Sequence, residues 1–94
     1  MAMQMPAIES RPLREFTCSV PFGADLLVSL KGLVKKLGVN TGTINLIGAL
    51  RSATLQYYMQ DDKRFHTNVF EEPLEIASVI GNIATLKGEL VVHC

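Results

Sequence analysis

The apolar positions of this chain fall into two periods. Between Leu26 and Leu37 they recur every three or four residues, at Leu26, Leu27, Leu30, Leu33, Val34 and Leu37, which makes one stripe of an amphipathic helix over about 24–37. Asp25 stands at the positive end of its dipole, and Lys35 and Lys36 at the negative end. Gly38 supplies a left-handed residue after the last turn, with Val39 placed to fold back on it. Gly32 costs about 1 kcal/mol against alanine inside a helix, so the sequence predicts that it lets the helix lie close to a sheet.

Elsewhere the period is two. From Leu13, the residues Phe16, Cys18 and Val20 alternate with Glu15, Thr17 and Ser19, a half-buried strand closed by Pro21-Phe22-Gly23. Thr43–Leu50 is a second strand, in which Gly48 signals a bulge or tight bend. Arg51–Met59 follows, with Ala53, Leu55, Tyr57 and Met59 inward. The turn Gln60-Asp61-Asp62-Lys63 then returns the chain along Arg64–Phe70 as a hairpin. Beyond the break at Glu71-Glu72-Pro73, Leu74–Ile80 reads as a central, nearly continuous apolar strand. Gly81-Asn82 marks a bend, Ile83–Leu86 a short strand, Lys87-Gly88 a turn and Glu89–Cys94 the last strand. One main helix against six or seven mostly antiparallel strands is an α+β domain. Residues 1–10 show no periodicity and are expected to form a disordered tail, leaving 11–94 as a single domain.

Composition narrows the function. Ninety-four residues bury only about 60–65% of their unfolded surface, yet 48% of them are hydrophobic. That surplus is expected to lie in an interface between subunits. Nine basic residues balance nine acidic ones, so the counterion-release term that drives unaided DNA binding is weak. The two cysteines, Cys18 and Cys94, match neither a disulfide framework nor a Cys-x-x-Cys site. No signal peptide or membrane-length apolar run is present, so the sequence predicts a cytoplasmic protein with no membrane contact.

The order of several short motifs resembles the Plants and Prokaryotes Conserved (PPC) domain family. These are GADLLVSLKGLVKKLGV with its Thr-Gly-Thr-Ile, Ile47-Gly48-Ala49-Leu50, Ala53-Thr54-Leu55 with Tyr57-Tyr58, Glu72-Pro73-Leu74-Glu75-Ile76, and Gly81-Asn82-Ile83. The resemblance runs from about Arg14 to the C-terminus and points to the stand-alone prokaryotic type. It implies a curved, barrel-like antiparallel sheet and a homotrimer. It also implies a DNA-associated, transcription-related role exercised through association with itself, other proteins or DNA-bound complexes, without an established reaction. The Arg-Gly-Arg-Pro core of an AT-hook, which carries minor-groove binding in plant members, does not occur here. Prokaryotic members can gather a His-x-His strand and a Gly-Gly-His segment into a metal site. His93 matches the first of these histidines and Cys94 the intervening position; the other two are not in this sequence.

The candidate chemistry is sparse. His93 is the one candidate metal ligand; zinc needs about three protein ligands for catalysis or four for structure, so the expectation is no cofactor, with zinc only where several copies of His93 meet. Adjacent positions on a strand point to opposite faces, so His93 and Cys94 cannot chelate one ion together. Glu75 inside the apolar run and Asn82 at the expected bend form a candidate polar site. The competing readings are an outward-facing Glu75 and an Asn82 that satisfies its own turn. His66 shares the polar parity of Arg64 and Asn68, and Tyr58 is the outward tyrosine. No Ser-His-acid set or phosphate-cradling glycine loop is present, so the reading leans away from an enzyme. Two alternatives remain: a metal-dependent hydrolase-like or small-molecule-binding protein with His93 and Glu75 at a subunit junction, and a direct DNA binder.

Overall fold

The computed structural model describes residues 4–94; the first three residues of the expected tail lie outside the described residues. The helix α1 spans Leu26–Lys36, and its ends form where the sequence places them. Asp25 is the N-cap, its carboxylate accepting a 2.9 Å hydrogen bond from the Val28 N–H. At the other end Gly38, at φ +70°, donates to Lys35 and Val39 donates to Val34, the paired bonds of a Schellman cap. Gly32 is exposed, and a Cβ built there meets nothing within 4 Å, so it is not the point of close contact with a sheet.

Five strands follow: β1 (Gly42–Leu50), β2 (Ala53–Met59), β3 (Arg64–Phe70), β4 (Leu74–Leu86) and β5 (Glu89–His93). They make a three-stranded antiparallel sheet, β1-β4-β5, and a two-stranded one, β2-β3; among the described residues there is no closed barrel. The expected count of six or seven strands fails for two physical reasons. Residues 13–20 alternate as a strand should, but no neighbour completes their ladder within the described residues, and they remain irregular and almost wholly exposed. Gly81-Asn82 does not bend the chain. Both residues lie inside one 13-residue strand, β4, where Gly81 serves a close approach instead.

The two sheets are segments of one long ribbon. Leu50 pairs with Leu74 at the end of the β1-β4 ladder, and Ala53 pairs with Phe70 at the start of the β2-β3 ladder. Only Arg51-Ser52 on one side and Glu71-Glu72-Pro73 on the other interrupt the pairing. Pro73 has no N–H to offer a ladder, which accounts for the break. The ribbon runs to the tip at Gln60–Lys63 as expected, and β4 returns through the Lys87-Gly88 turn, where both residues have φ near +50° to +80°, into β5.

Along β1-β4 the register shifts between Leu46 and Gly48: Ile47 faces two residues of β4, Ala77 and Ser78. This bulge, signalled by Gly48, resolves the ambiguous run Leu74–Ile80. Before it, Val79, Gly81 and Ile83 share the helix side of the sheet; after it, Leu74 and Ile76 do. Glu75, which unbroken alternation would place with Val79 and Ile83, is turned outward opposite Ala49. The core lies where α1 packs on the β5 side of the three-stranded sheet, with Leu30, Val34 and Ile83 buried and Val39 and Ile83 closing over Gly42.

Candidate interaction surface

Much of the apolar surface finds no cover among the described residues. A self-contained protein of 10.3 kDa exposes about 5,400 Å², whereas this chain exposes 8931 Å². Its radius of gyration is 16.1 Å, against about 12 Å for a compact chain of this length. The excess is spread over the irregular N-terminal segment, the β2-β3 hairpin and one face of the three-stranded sheet.

That sheet face is opposite α1. Cross-strand partners share a face, so Thr43, Asn82 and His93 form one row across β1, β4 and β5, all three exposed. Around this row lie Ile47 and Ile80, 81% and 76% exposed, with Ala84, Leu86 and Val91. A central strand is thus found at β4, but it is covered on one face only. The structure brings together two of the three candidate site residues, Asn82 and His93. Asn82 belongs to the strand interior and not to a turn, a correction to the bend expected at that point. Glu75 lies seven residues along β4 from Asn82, about 20 Å at strand rise, so one chain does not join it to His93. Within one chain His93 is also a poor basis for a zinc site: its cross-strand neighbour is an amide, and no group of three His, Cys, Asp or Glu among the described residues is placed to hold an ion. A shallow groove of about 300 Å³ between α1 and β5, lined by Leu27, Val28, Lys31 and Glu89–Val92, is open and carries one charge of each sign.

The hairpin presents two faces. One carries Ala53, Leu55, Tyr57 and Met59 opposite Phe70, Asn68, His66 and Arg64; the other carries Thr54, Gln56 and Tyr58 opposite Val69, Thr67 and Phe65. Tyr57 stacks obliquely on His66 with centroids 5.0 Å apart, and Tyr58 meets Phe65 edge-on at 5.3 Å. Gln56 donates to the Thr67 hydroxyl at 3.2 Å. Leu55 and Tyr57, expected inward, are more than half exposed, because nothing among the described residues supplies an interior for them. Arg64 pairs with Asp62 at the tip, and Arg51 lies over the Phe22 ring. The alternation pattern identified these strands but not their lack of cover; the short break at Arg51-Ser52 and Pro73 was the signal that the hairpin stands apart.

The model of the Plants and Prokaryotes Conserved (PCC, also written PPC) domain matches residues 7–94. The chain belongs to this family. Among solved structures it is similar to a PPC protein from Pyrococcus horikoshii at 35% identity (TM-score 0.74), over 79% of this chain and 52% of that one. A metal-containing protein from Archaeoglobus fulgidus matches at 32% identity (TM-score 0.75), over 79% and 53%. A candidate DNA-binding protein from Bacteroides thetaiotaomicron matches at 30% identity (TM-score 0.68), over 71% and 47%. The PPC chain described here therefore spans about half the length of these structures. No curated protein matches it. No helix among the described residues is long and apolar enough to cross a membrane.

Proposed function

We propose that this PPC chain is a non-enzymatic association module that acts as a cytoplasmic homo-oligomer, a homotrimer by family resemblance, with a DNA-associated, transcription-related role exercised through protein–protein contacts. The carrying observation is the excess of about 3,500 Å² of accessible surface over that of a self-contained chain, with Ile47, Ile80, Leu55 and Phe65 all more than half exposed. A stable interface needs about 800 Å² from each partner, so the excess is ample for contact with two neighbours. Zero net charge favours contact between copies and speaks against a phosphate-driven grip on DNA. Likeness to a candidate DNA-binding protein supports the link to DNA through a complex. Multi-angle light scattering between 1 and 100 µM tests the reading: three times the chain mass is expected, and a monomer throughout overturns it.

A metal-binding variant of this reading rests on the likeness to a metal-containing protein and on the position of His93, exposed on the edge strand β5. One imidazole from each of three copies would supply a three-nitrogen set around a symmetry axis, a donor number suited to zinc.

A further inference from the structure

We infer that the β2-β3 hairpin is an arm that lies across the helix-free face of the three-stranded sheet of a second copy of this chain. The inference rests on the self-association proposed above and says which surfaces make it.

A two-stranded ribbon is marginally stable at best in water without something to pack on. Here neither face of the hairpin is covered by α1 or by the other sheet, and all seven residues of β3 are exposed. The arm cannot reach the open sheet face of its own chain. It continues the same ribbon through links of two and three residues, 51–52 and 71–73, which leave no slack for a reversal. A second copy has no such constraint. It offers Ile47, Ile80, Ala84, Leu86 and Val91, set among the exposed polar residues Thr43, Asn45, Asn82 and His93 of the same face.

The two faces of the arm differ at their centre. One has the Gln56–Thr67 hydrogen bond there, flanked by Tyr58, Phe65 and Val69. The other has Leu55 and Tyr57 there, with Met59 and Phe70 beyond them and Asn68, His66 and Arg64 opposite; Asp62 pairs with Arg64 at the tip. This second face is the one that docks. Each arm strand is about 23 Å long at strand rise, shorter than the thirteen residues of β4 that would receive it. Because arm and receiving face are different surfaces, the contact is heterologous; each copy gives one arm and takes one, and such contacts close into a ring when the rotation permits. A three-membered ring satisfies every copy, and so fits the trimer.

The test uses the whole chain. Leu55→Lys with Tyr57→Lys changes two side chains already exposed in the single subunit, so the β-sheet circular-dichroism signal is expected to stay while self-association weakens about 100-fold, the scale of interface hot spots. Gln56→Lys, on the other face, is expected to leave the mass unchanged. In parallel, p-benzoylphenylalanine in place of Tyr57, irradiated in an equal mixture of ¹⁵N-labelled and unlabelled chains, is expected to give mixed-isotope crosslinks to 42–50 or 79–86 of the other copy. This arm of the test stands even if the double variant fails to fold. A wild-type monomer overturns the self-association reading itself. An oligomer that survives Leu55→Lys/Tyr57→Lys unweakened, or crosslinks confined to one isotope or mapping to another element, overturns the arm while leaving self-association intact.

Discussion

Replacing Gly81 by alanine puts the close approach of β4 and the end of β5 to a direct test. A Cβ built on Gly81 falls 2.5 Å from the Cys94 Cβ and 2.7 Å from the His93 carbonyl oxygen. Non-bonded carbons sit comfortably at about 3.5–4.0 Å, so the new methyl overlaps its neighbours by roughly 1 Å. Two effects oppose each other. Glycine in a strand costs about 0.5–1 kcal/mol against alanine, which would favour the substitution. Overpacking against atoms that cannot rotate away costs about 1–3 kcal/mol, and here one of the two clashing atoms is backbone oxygen. The clash wins, and Gly81→Ala is expected to destabilise the chain by about 1–2 kcal/mol. Urea unfolding at fixed protein concentration measures the loss, and hydrogen exchange locates it: the amides of Val92 and His93 should lose protection while those of α1 keep theirs. Adding Cys94→Gly removes the 2.5 Å contact but not the one to His93, so partial recovery is expected. A Gly81→Ala protein as stable as wild type, with unchanged exchange at β5, would refute the reasoning and return Gly81 to the role of a bend.

Three further outcomes follow from other parts of the chain. Gly32→Ala, in the exposed interior of α1 with nothing within 4 Å of the new methyl, should raise stability by about 1 kcal/mol in the same unfolding experiment. Deleting Ser78 removes the extra residue of the bulge, and plain alternation from Val79 then keeps Ile76 and Leu74 on the helix side and Glu75 outward, so the variant should retain a cooperative unfolding transition in the same urea experiment. If three copies of His93 hold zinc, metal analysis of protein purified without chelators should find one ion per three chains, and none after His93→Ala; equal metal in both would remove His93 from the site.

The helix was legible because its signals are local: the apolar stripe, Asp25, and the Gly38-Val39 pair act within a few residues of one another. The hairpin tip and the Lys87-Gly88 turn were legible for the same reason. What the sequence could not show is which surfaces find partners. Phe16, Cys18 and Val20 alternate as well as Ile44 and Leu46 do, but only the latter pair has a strand beside it. Local propensity is necessary for a ladder and does not provide the second strand. Gly81 was misread because glycine serves both bends and close approaches, and only the position of Cys94 distinguishes them. Of the candidate site, the Asn82–His93 pairing depended on the register of β4 against β5, and the placement of Glu75 depended on a single bulge residue.

The same bulge links fold to proposed function. Without it, Glu75 would enter the core side, while Leu74 and Ile76 would join Ile80 on the open face. With it, the helix side gains two aliphatic side chains, and the open face keeps Ile47, Ile80, Ala84, Leu86 and Val91 between two carboxylates, Glu75 on β4 and Glu89 opposite Leu86. A carboxylate at the margin of an apolar strip does not stabilise a single chain appreciably, since exposed charges contribute little. It does act on association: a wrongly seated neighbour that buried Glu75 without a partner would incur a desolvation cost of several kcal/mol. An arm seated over 79–86 leaves Glu75 in water. In the proposed assembly, the charge at Glu75 would thus disfavour a seating of the second copy slipped toward Leu74.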